Sequence, residues 1–262
     1  MIKVGVCGAA GKMGSEVVKA VSANKDLELV AAIDKDHTGE DIGLIAGLGE
    51  IGVVTVESIK KAAAAGAQVI VDFTHPSTVM QNITDIVEYG MNGVVGTTGI
   101  SNDNLTTIQA LVERTDKNII IAPNFAVGAV LMMELSKTAA RFMNDIEIIE
   151  RHNPMKADAP SGTALKTAQD LEKIIKPNEK MKSDLSLEGA RGASTGNINI
   201  HSIRMPGYVA EQDVIFGTEG QTLTIRHSTT DRTSFMPGVI MAVKAVSDKK
   251  GLTYGLENLL DI

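Results

Sequence analysis

The sequence predicts an α/β protein in two parts: an N-terminal doubly wound parallel sheet, then a C-terminal α+β domain with a mixed, largely open sheet. Three observations carry this. As far as residue 125, continuous apolar runs alternate with amphipathic helical stretches, the pattern of a parallel sheet covered on both faces. Glycines at positions 8, 11 and 14 separate the first strand from the first helix. From residue 197 onward, strand-like segments follow one another without helices between them, as an antiparallel or mixed sheet requires. Residues 1–125 with 235–262 are expected to form one domain and residues 126–234 the other.

The elements follow in order. IKVGVC is a β-branched apolar run, and after Ser15 the residues Val17, Val18 and Val21 recur at helical spacing. The glycines between them suit a tight turn, close approach of backbone to a pyrophosphate, and close packing of helix on strand. Their spacing is GxxGxxG rather than the commoner GxGxxG, so on its own it also fits a ligand-free strand–helix turn. The context makes the half Rossmann-like: a second strand, LELVAAID, ends in Asp34, where an acid commonly holds a ribose diol, and Lys35 beside it could meet a 2′-phosphate. The glycine-rich segment 36–53 reads as a flap or a long surface loop. QVIVDFT, GVVGTTG and NIIIAPNF are further strands with helical stretches between them. Their ends, DFTH, GTTG and APNF, are turn chemistry singly; together they suit the nicotinamide side of a sheet whose ligands lie beyond the strand carboxyl ends.

The grammar then changes. GAVLMMELSKTAARFM (128–143) is a helix, DIEIIERHN alternates as a strand ending at His152, and TALKTAQDLEKII is a helix. NINIHSIRM, QDVIFG and QTLTIRHST are strands, and SFMPGVIMAVKAVSD is a helix starting near Pro237. A sheet open on one face invites cover by a helix or another subunit, so oligomerisation is expected.

Composition excludes several classes of function. Of 262 residues, 44% are hydrophobic and 22% charged, ordinary for a globular protein. A net charge of −7, with five Phe, three Tyr and no Trp, argues against nucleic-acid and anionic-membrane partners. The same charge means that an acidic substrate needs a local cationic pocket. The single cysteine, Cys7, rules out an internal disulfide and a cysteine zinc cluster, and its apolar strand makes it a buried residue; no metal is expected. No apolar run reaches the roughly 18 residues of a spanning helix. The N-terminus enters a strand at once, so a cytoplasmic protein is expected.

RHNPMKADAPSGTA (151–164) gathers unusual chemistry. His152 at a strand end suits a general acid or base, and Lys156 suits an anion partner or proton donor. Ser161, Gly162 and Thr163 stand at a helix start, where free amides and hydroxyls suit a carboxylate; an ordinary N-cap is the plainer reading. His201 and His227 suit structural roles. Arg232 could meet a second carboxylate bidentately.

GAAGKMG (8–14), DFTHP (72–76), GTTG (96–99), APNFAVG (122–128), IIERHNPMKADAPSGTA (148–164) and GQTLTIRHSTTDRTSFMPG (220–238) together resemble the dihydrodipicolinate reductases of the diaminopimelate route to lysine. The run KADAPSGTA is the specific part; the glycine loop is not. The resemblance implies a homotetramer that uses NADH or NADPH to reduce 4-hydroxy-tetrahydrodipicolinate, with loss of water, to tetrahydrodipicolinate. It implies His152 as catalytic acid/base and Lys156 as proton donor, with Gly162 and Thr163 on a substrate carboxylate and Arg232 on substrate. It implies cofactor contacts at Gly8, Ala9, Ala10, Gly11, Lys12, Met13, Asp34, Gly96, Thr97, Thr98, Ala122, Pro123, Asn124 and Phe125. Where most relatives have a second, substrate-contacting histidine, this chain has Asn153, which can hydrogen-bond but carries no charge. Asp34 and Lys35 pull cofactor choice in opposite directions, so dual use with a lean to NADH is expected. Two alternatives remain open: another two-domain NAD(P)-dependent dehydrogenase, and a non-catalytic dinucleotide-sensing protein.

Overall fold

A computed structural model describes residues 1–176 and 184–260. Contacts divide the chain into two units, Met1–Val127 with Arg232–Ile262, and Gly128–Asp231.

The first unit begins β1 (Ile2–Cys7), α1 (Lys12–Ser22), β2 (Leu27–Ile33), α2 (Ile42–Ala46), β3 (Thr55–Val56), α3 (Ile59–Ala64), β4 (Val69–Asp72), α4 (Val79–Glu88), β5 (Asn92–Val95), α5 (Asn102–Val112) and β6 (Ile119–Ile121). The second unit takes α6 (Val127–Ala140), β7 (Asp145–His152), α7 (Gly162–Glu172), β8 (Ala193–Thr195), β9 (Ile198–Arg204), β10 (Ala210–Thr218) and β11 (Gln221–Thr229). The chain then completes the first unit with a 3-10 turn, Arg232–Phe235, followed by α8 (Met236–Ala245) and β12 (Leu252–Tyr254).

The first unit is a parallel sheet in the order β12-β6-β5-β4-β1-β2-β3. The order reverses at β1/β4, the crevice where doubly wound sheets bind ligands. Strands such as VIVD of β4 are buried on both faces, which is why they read as unbroken apolar runs. One core cluster joins Ile70, Ile83, Ile86, Ile108 and Ile119 from strands and helices. The segment 36–53 is more ordered than a flap. It carries α2, and Asp41 ties it together by accepting amide hydrogen bonds from Gly43 at 2.8 Å, Ile51 at 3.2 Å and Gly52 at 2.7 Å. The edge strands β3 and β12, two and three residues long, are too short to show periodicity in the sequence.

The second unit is a mixed sheet in the order β11-β10-β7-β9-β8. The stretch containing α7 carries the chain from β7 to β9, which pair in parallel; the other neighbours are antiparallel. The α6 helix stops at Ala140, three residues earlier than its apolar pattern suggests, and Phe142 is left exposed. Residues of α6 and α7 (Met132, Ala164, Ala168, Leu171) pack on Ile146, Ile148, Ile200, Val214 and Phe216 of one sheet face. On the other face Asp213, 2% exposed, is gripped by Arg226 and Arg151. Among the described residues, no helix is long and apolar enough to cross a membrane.

Candidate active site

In the first unit the site starts at the turn after β1. Gly8 has φ +75°, and a Cβ there would come within 2.6 Å of the Phe73 carbonyl. A Cβ on Gly14 would lie 2.0 Å from the carbonyl oxygen of Gly8, so helix and strand approach more closely than any side chain permits. Gly11 is the N-cap of α1 and supplies no side-chain hydrogen bond. The first amides of the helix are therefore left to a ligand or to water, and with the dipole they suit phosphate. Gly8, Gly11, Asp34, Lys35, Phe73 and Thr74 line one cavity of about 510 Å³. Asp34 accepts from the amides of Ala10 at 3.1 Å and Asp36 at 3.2 Å, which fixes its carboxylate at the end of β2 and leaves lone pairs for a diol. A glycine cradle, open helix amides and a fixed acid around one cavity fit a dinucleotide.

Behind the cavity lies a polar network that the sequence did not reveal. Asp72, fully buried, accepts from Thr97 Oγ1 at 2.6 Å, Asn82 Nδ2 at 2.7 Å and Thr74 Oγ1 at 2.9 Å. Thr97 in turn accepts from the Thr74 amide at 2.8 Å, so the DFTH and GTTG loops are bound to each other. Cys7 lies beside this network; burial first, then the Asp72 charge, push its thiol well above the usual range. Gly96 is required because a Cβ would come within 2.1 Å of the Phe73 ring.

The second unit's site grows from strand register. On the helix-covered face, the row Ile200–Ile148–Val214–Ile225 is followed by Ser202–Glu150–Gln212–His227 and then by Arg204–His152–Ala210–Thr229. The core face thus turns polar at one end of the sheet. Glu150 is fully buried there: Arg204 donates to both of its oxygens at 2.8 Å, and His152 Nδ1 lies 2.5 Å from Oε2. Burial pushes the Glu150 carboxyl up, but hydrogen bonds from Arg204, Ser202 and His152 outweigh it and hold the group below the usual carboxylate range. Since the carboxylate only accepts, the proton of this bond sits on Nδ1 of His152. Burial alone pushes the His227 imidazole down, in keeping with a structural role.

The loop after β7 carries the cation. Asn153 Oδ1 accepts from the Met155 amide at 3.0 Å, closing a turn that presents Lys156. Lys156 Nζ donates to Asp158 Oδ1 at 2.7 Å. This bond, helped by the Gly162 amide, holds the Asp158 carboxyl below its ordinary value. The chain then enters α7, whose first residue, Gly162, has open space where a Cβ would stand.

The candidate residues sort as follows. His152, Asn153, Lys156, Gly162 and Thr163 belong to one polar end of the second unit. Ser161 is the N-cap of α7: it is 3% exposed, its hydroxyl accepts from the Ala164 amide at 3.2 Å, and its own amide donates to Glu150. Arg232 opens the 3-10 turn and falls in the first unit, not in the expected domain 126–234. Ala9, Thr97, Ala122 and Phe125 have buried side chains, so only their backbone is available to a cofactor. Phe125 packs on Phe73 with ring centroids 5.8 Å apart. Glu150 and Arg204 were missed. The spacing Glu150-x-His152 within an alternating strand is the signal that could have found the first; only sheet pairing brings in the second.

Comparison with known proteins places this geometry. The family model described as "Dihydrodipicolinate reductase, N-terminus" matches residues 2–125, and "Dihydrodipicolinate reductase, C-terminus" matches residues 128–260. The chain is 46% identical to a 4-hydroxy-tetrahydrodipicolinate reductase of Thermosynechococcus vestitus, over 99% of this chain and 97% of that one. It is 45% identical to a reductase of the same name from a Mycobacterium species, over 100% of both. A solved dihydrodipicolinate reductase from a Paenisporosarcina species, bound to dipicolinate, superposes with a TM-score of 0.88 at 40% identity, covering 99% of this chain and 100% of that one.

Proposed function

The chain belongs to the dihydrodipicolinate reductase family, and on that premise we propose how its two units divide the work. The protein is an oxidoreductase of lysine biosynthesis: it uses NAD(P)H to reduce 4-hydroxy-tetrahydrodipicolinate to tetrahydrodipicolinate, with loss of water. A bound nicotinamide cofactor supplies the hydride. The residues that would hold it are the turn Gly8–Met13 through its amides, Asp34 and Lys35 at the adenosine ribose, and the backbone of Gly96–Thr98 and Ala122–Phe125.

The substrate's part follows from charge. A dicarboxylate entering a protein of net charge −7 needs local positive potential. Lys156 and the N-terminal end of α7 at Gly162 and Thr163 supply it in the second unit, and Arg232 is proposed to take a substrate carboxylate. Departure of the C4 hydroxyl with a C3 proton, as water, leaves a C3–C4 double bond conjugated with the ring nitrogen. Hydride addition at C4 then sends an electron pair toward C3 and nitrogen, and a proton from Lys156 or His152 quenches it at C3. Asn153 shapes the Lys156 turn and offers its amide to substrate. The observation that carries this reading is the clustering of a carboxylate-held imidazole, an ammonium and an open helix start at one end of one sheet.

The test couples purified synthase to this protein, with pyruvate, aspartate semialdehyde and NADH or NADPH, and follows absorbance loss. Wild type is expected to oxidise the cofactor, and Lys156→Ala to lose roughly a hundredfold or more in kcat. Folded protein that binds NADH and oxidises neither cofactor would overturn the reading. The Asp34 carboxylate repels a 2′-phosphate, which supports a lean to NADH; a hundredfold better efficiency with NADPH would reverse it.

The protein is further proposed to work in the cytoplasm as a homotetramer. The sheet face opposite α7 sets partly exposed Ile149, Ile203 and Ile215 among the ion pairs of Arg151, Asp213 and Arg226, a surface suited to a second copy. Sedimentation equilibrium at fourfold the chain mass is the expected result.

A further inference from the structure

Glu150 exposes no surface, yet its two oxygens accept from three separate parts of the second unit. Oε2 takes His152 Nδ1 at 2.5 Å and Arg204 Nη1 at 2.8 Å; Oε1 takes Arg204 Nη2 at 2.8 Å and the Ser161 amide at 3.2 Å. Each partner leads to a different working group. His152 is the proton-transfer side chain. Ser161 caps α7 and precedes Gly162 and Thr163. Arg204 also donates to the Asp158 carbonyl at 2.6 Å, two residues beyond Lys156, so the lysine loop is tied to the same carboxylate. A buried ion pair is weak evidence for stability, since well-packed apolar residues usually serve as well. What an apolar pair could not do is accept a proton-bearing nitrogen of an imidazole.

We infer that Glu150 is a positioning residue for the reduction: it fixes the Nδ1-protonated tautomer of His152, so that Nε2 is presented to substrate, and holds the start of α7 and the Lys156 loop in register with it. The inference rests on the assignment of His152 given above. It depends on charge as well as shape. In Glu150→Gln the side chain keeps its volume, but its NH2 must face a guanidinium donor in either orientation. Placed at the Oε2 position it opposes one donor, Arg204 Nη1, and can donate to His152 Nδ1. Placed at the Oε1 position it opposes two, Arg204 Nη2 and the Ser161 amide. The first arrangement is favoured, and it drives the neutral imidazole to the Nε2-protonated tautomer.

Imidazole 1H–15N correlation spectra of the full chain, with His152 assigned from His152→Ala, read the tautomer directly. Wild type is expected to show neutral His152 protonated at Nδ1, and Glu150→Gln to show it at Nε2. The variant should lose about a hundredfold in kcat, a typical share for one acid–base group, with NADH affinity unchanged. Glu150→Asp, which keeps the charge, should recover at least tenfold of that loss. A wild-type spectrum showing the Nε2-protonated form overturns the inference without any variant, so failure of Glu150→Gln to fold does not leave it untested. Folded Glu150→Gln with wild-type kcat also overturns it, where His152→Ala is impaired. Unimpaired turnover in His152→Ala removes the premise instead, and the inference with it.

Discussion

Each unit buries a carboxylate completely near the end of a central strand, and the two are satisfied by different chemistry. Asp72 of the first unit accepts from two threonine hydroxyls, an asparagine amide and a backbone amide. Glu150 of the second accepts from a guanidinium and an imidazole as well as the Ser202 hydroxyl and a backbone amide. Both arrangements immobilise the loops that follow their strands. The neutral donors around Asp72 are short side chains that hold backbone in shape, which is what a groove lined by amides and hydroxyls requires. The guanidinium on Glu150 lies at the proposed substrate end of the sheet, and there the carboxylate orders a positive charge as well as backbone.

The sharpest way to break this comparison is to delete each carboxylate's role in turn. Glu150→Ala leaves Arg204 without its buried partner and should cost about 3–5 kcal/mol. Asp72→Asn keeps the shape and opposes neutral donors only, and should cost about 1–3 kcal/mol. Urea midpoints of the two variants measure both. Equal losses would mean that cation and hydroxyl shells are equivalent here.

A smaller effect comes from acid. Glu150 is pushed up by burial but held down more strongly by Arg204, Ser202 and His152, and Asp213 likewise by Arg226 and Arg151. Their folded values therefore lie below the unfolded ones, near about 4. Stability from these groups is fully present above that pH and is lost as pH falls through the folded values. Urea midpoints taken from pH 7 to pH 3 should fall below about pH 4, and Asp213→Asn should flatten the fall. An unchanged slope in that variant would exclude Asp213 as a source.

The smallest effect expected is at Ser161. Ser161→Ala removes the α7 cap and should cost about 1 kcal/mol in thermal unfolding. Because the hydroxyl is spent on Ala164, KM for 4-hydroxy-tetrahydrodipicolinate should rise by less than about fivefold in the coupled assay. A hundredfold rise would make the Ser161 hydroxyl a ligand contact.

The fold was legible in the sequence where one element settles its own environment. VIVD and NIIIA could only be strands buried on both sides, and the glycine turn could only join strand to helix closely. The site was legible in part for the same reason: His152, Lys156 and the α7 start lie within one short stretch of chain. Glu150 and Arg204 lie 54 residues apart and become neighbours only when β9 returns beside β7 in parallel register. No local period encodes that pairing. The Asp72 network escaped notice likewise, because Thr97 and Asn82 reach it from β5's end and from α4. Asn153 looked like a lost charge, whereas its side-chain oxygen closes the turn before Lys156.

The interruption of the first unit has a consequence for biosynthesis. Its last helix packs Gly238 so tightly that a Cβ there would meet the Phe125 carbonyl at 2.1 Å, and β12 pairs with β6 to close the sheet edge. Both pieces follow Asp231, so a ribosome delivers the whole of the second unit before them. The inserted unit is contiguous and can condense while translation continues. The first unit keeps the hydrogen-bonding edge of β6 unpaired until Leu252–Tyr254 has been made.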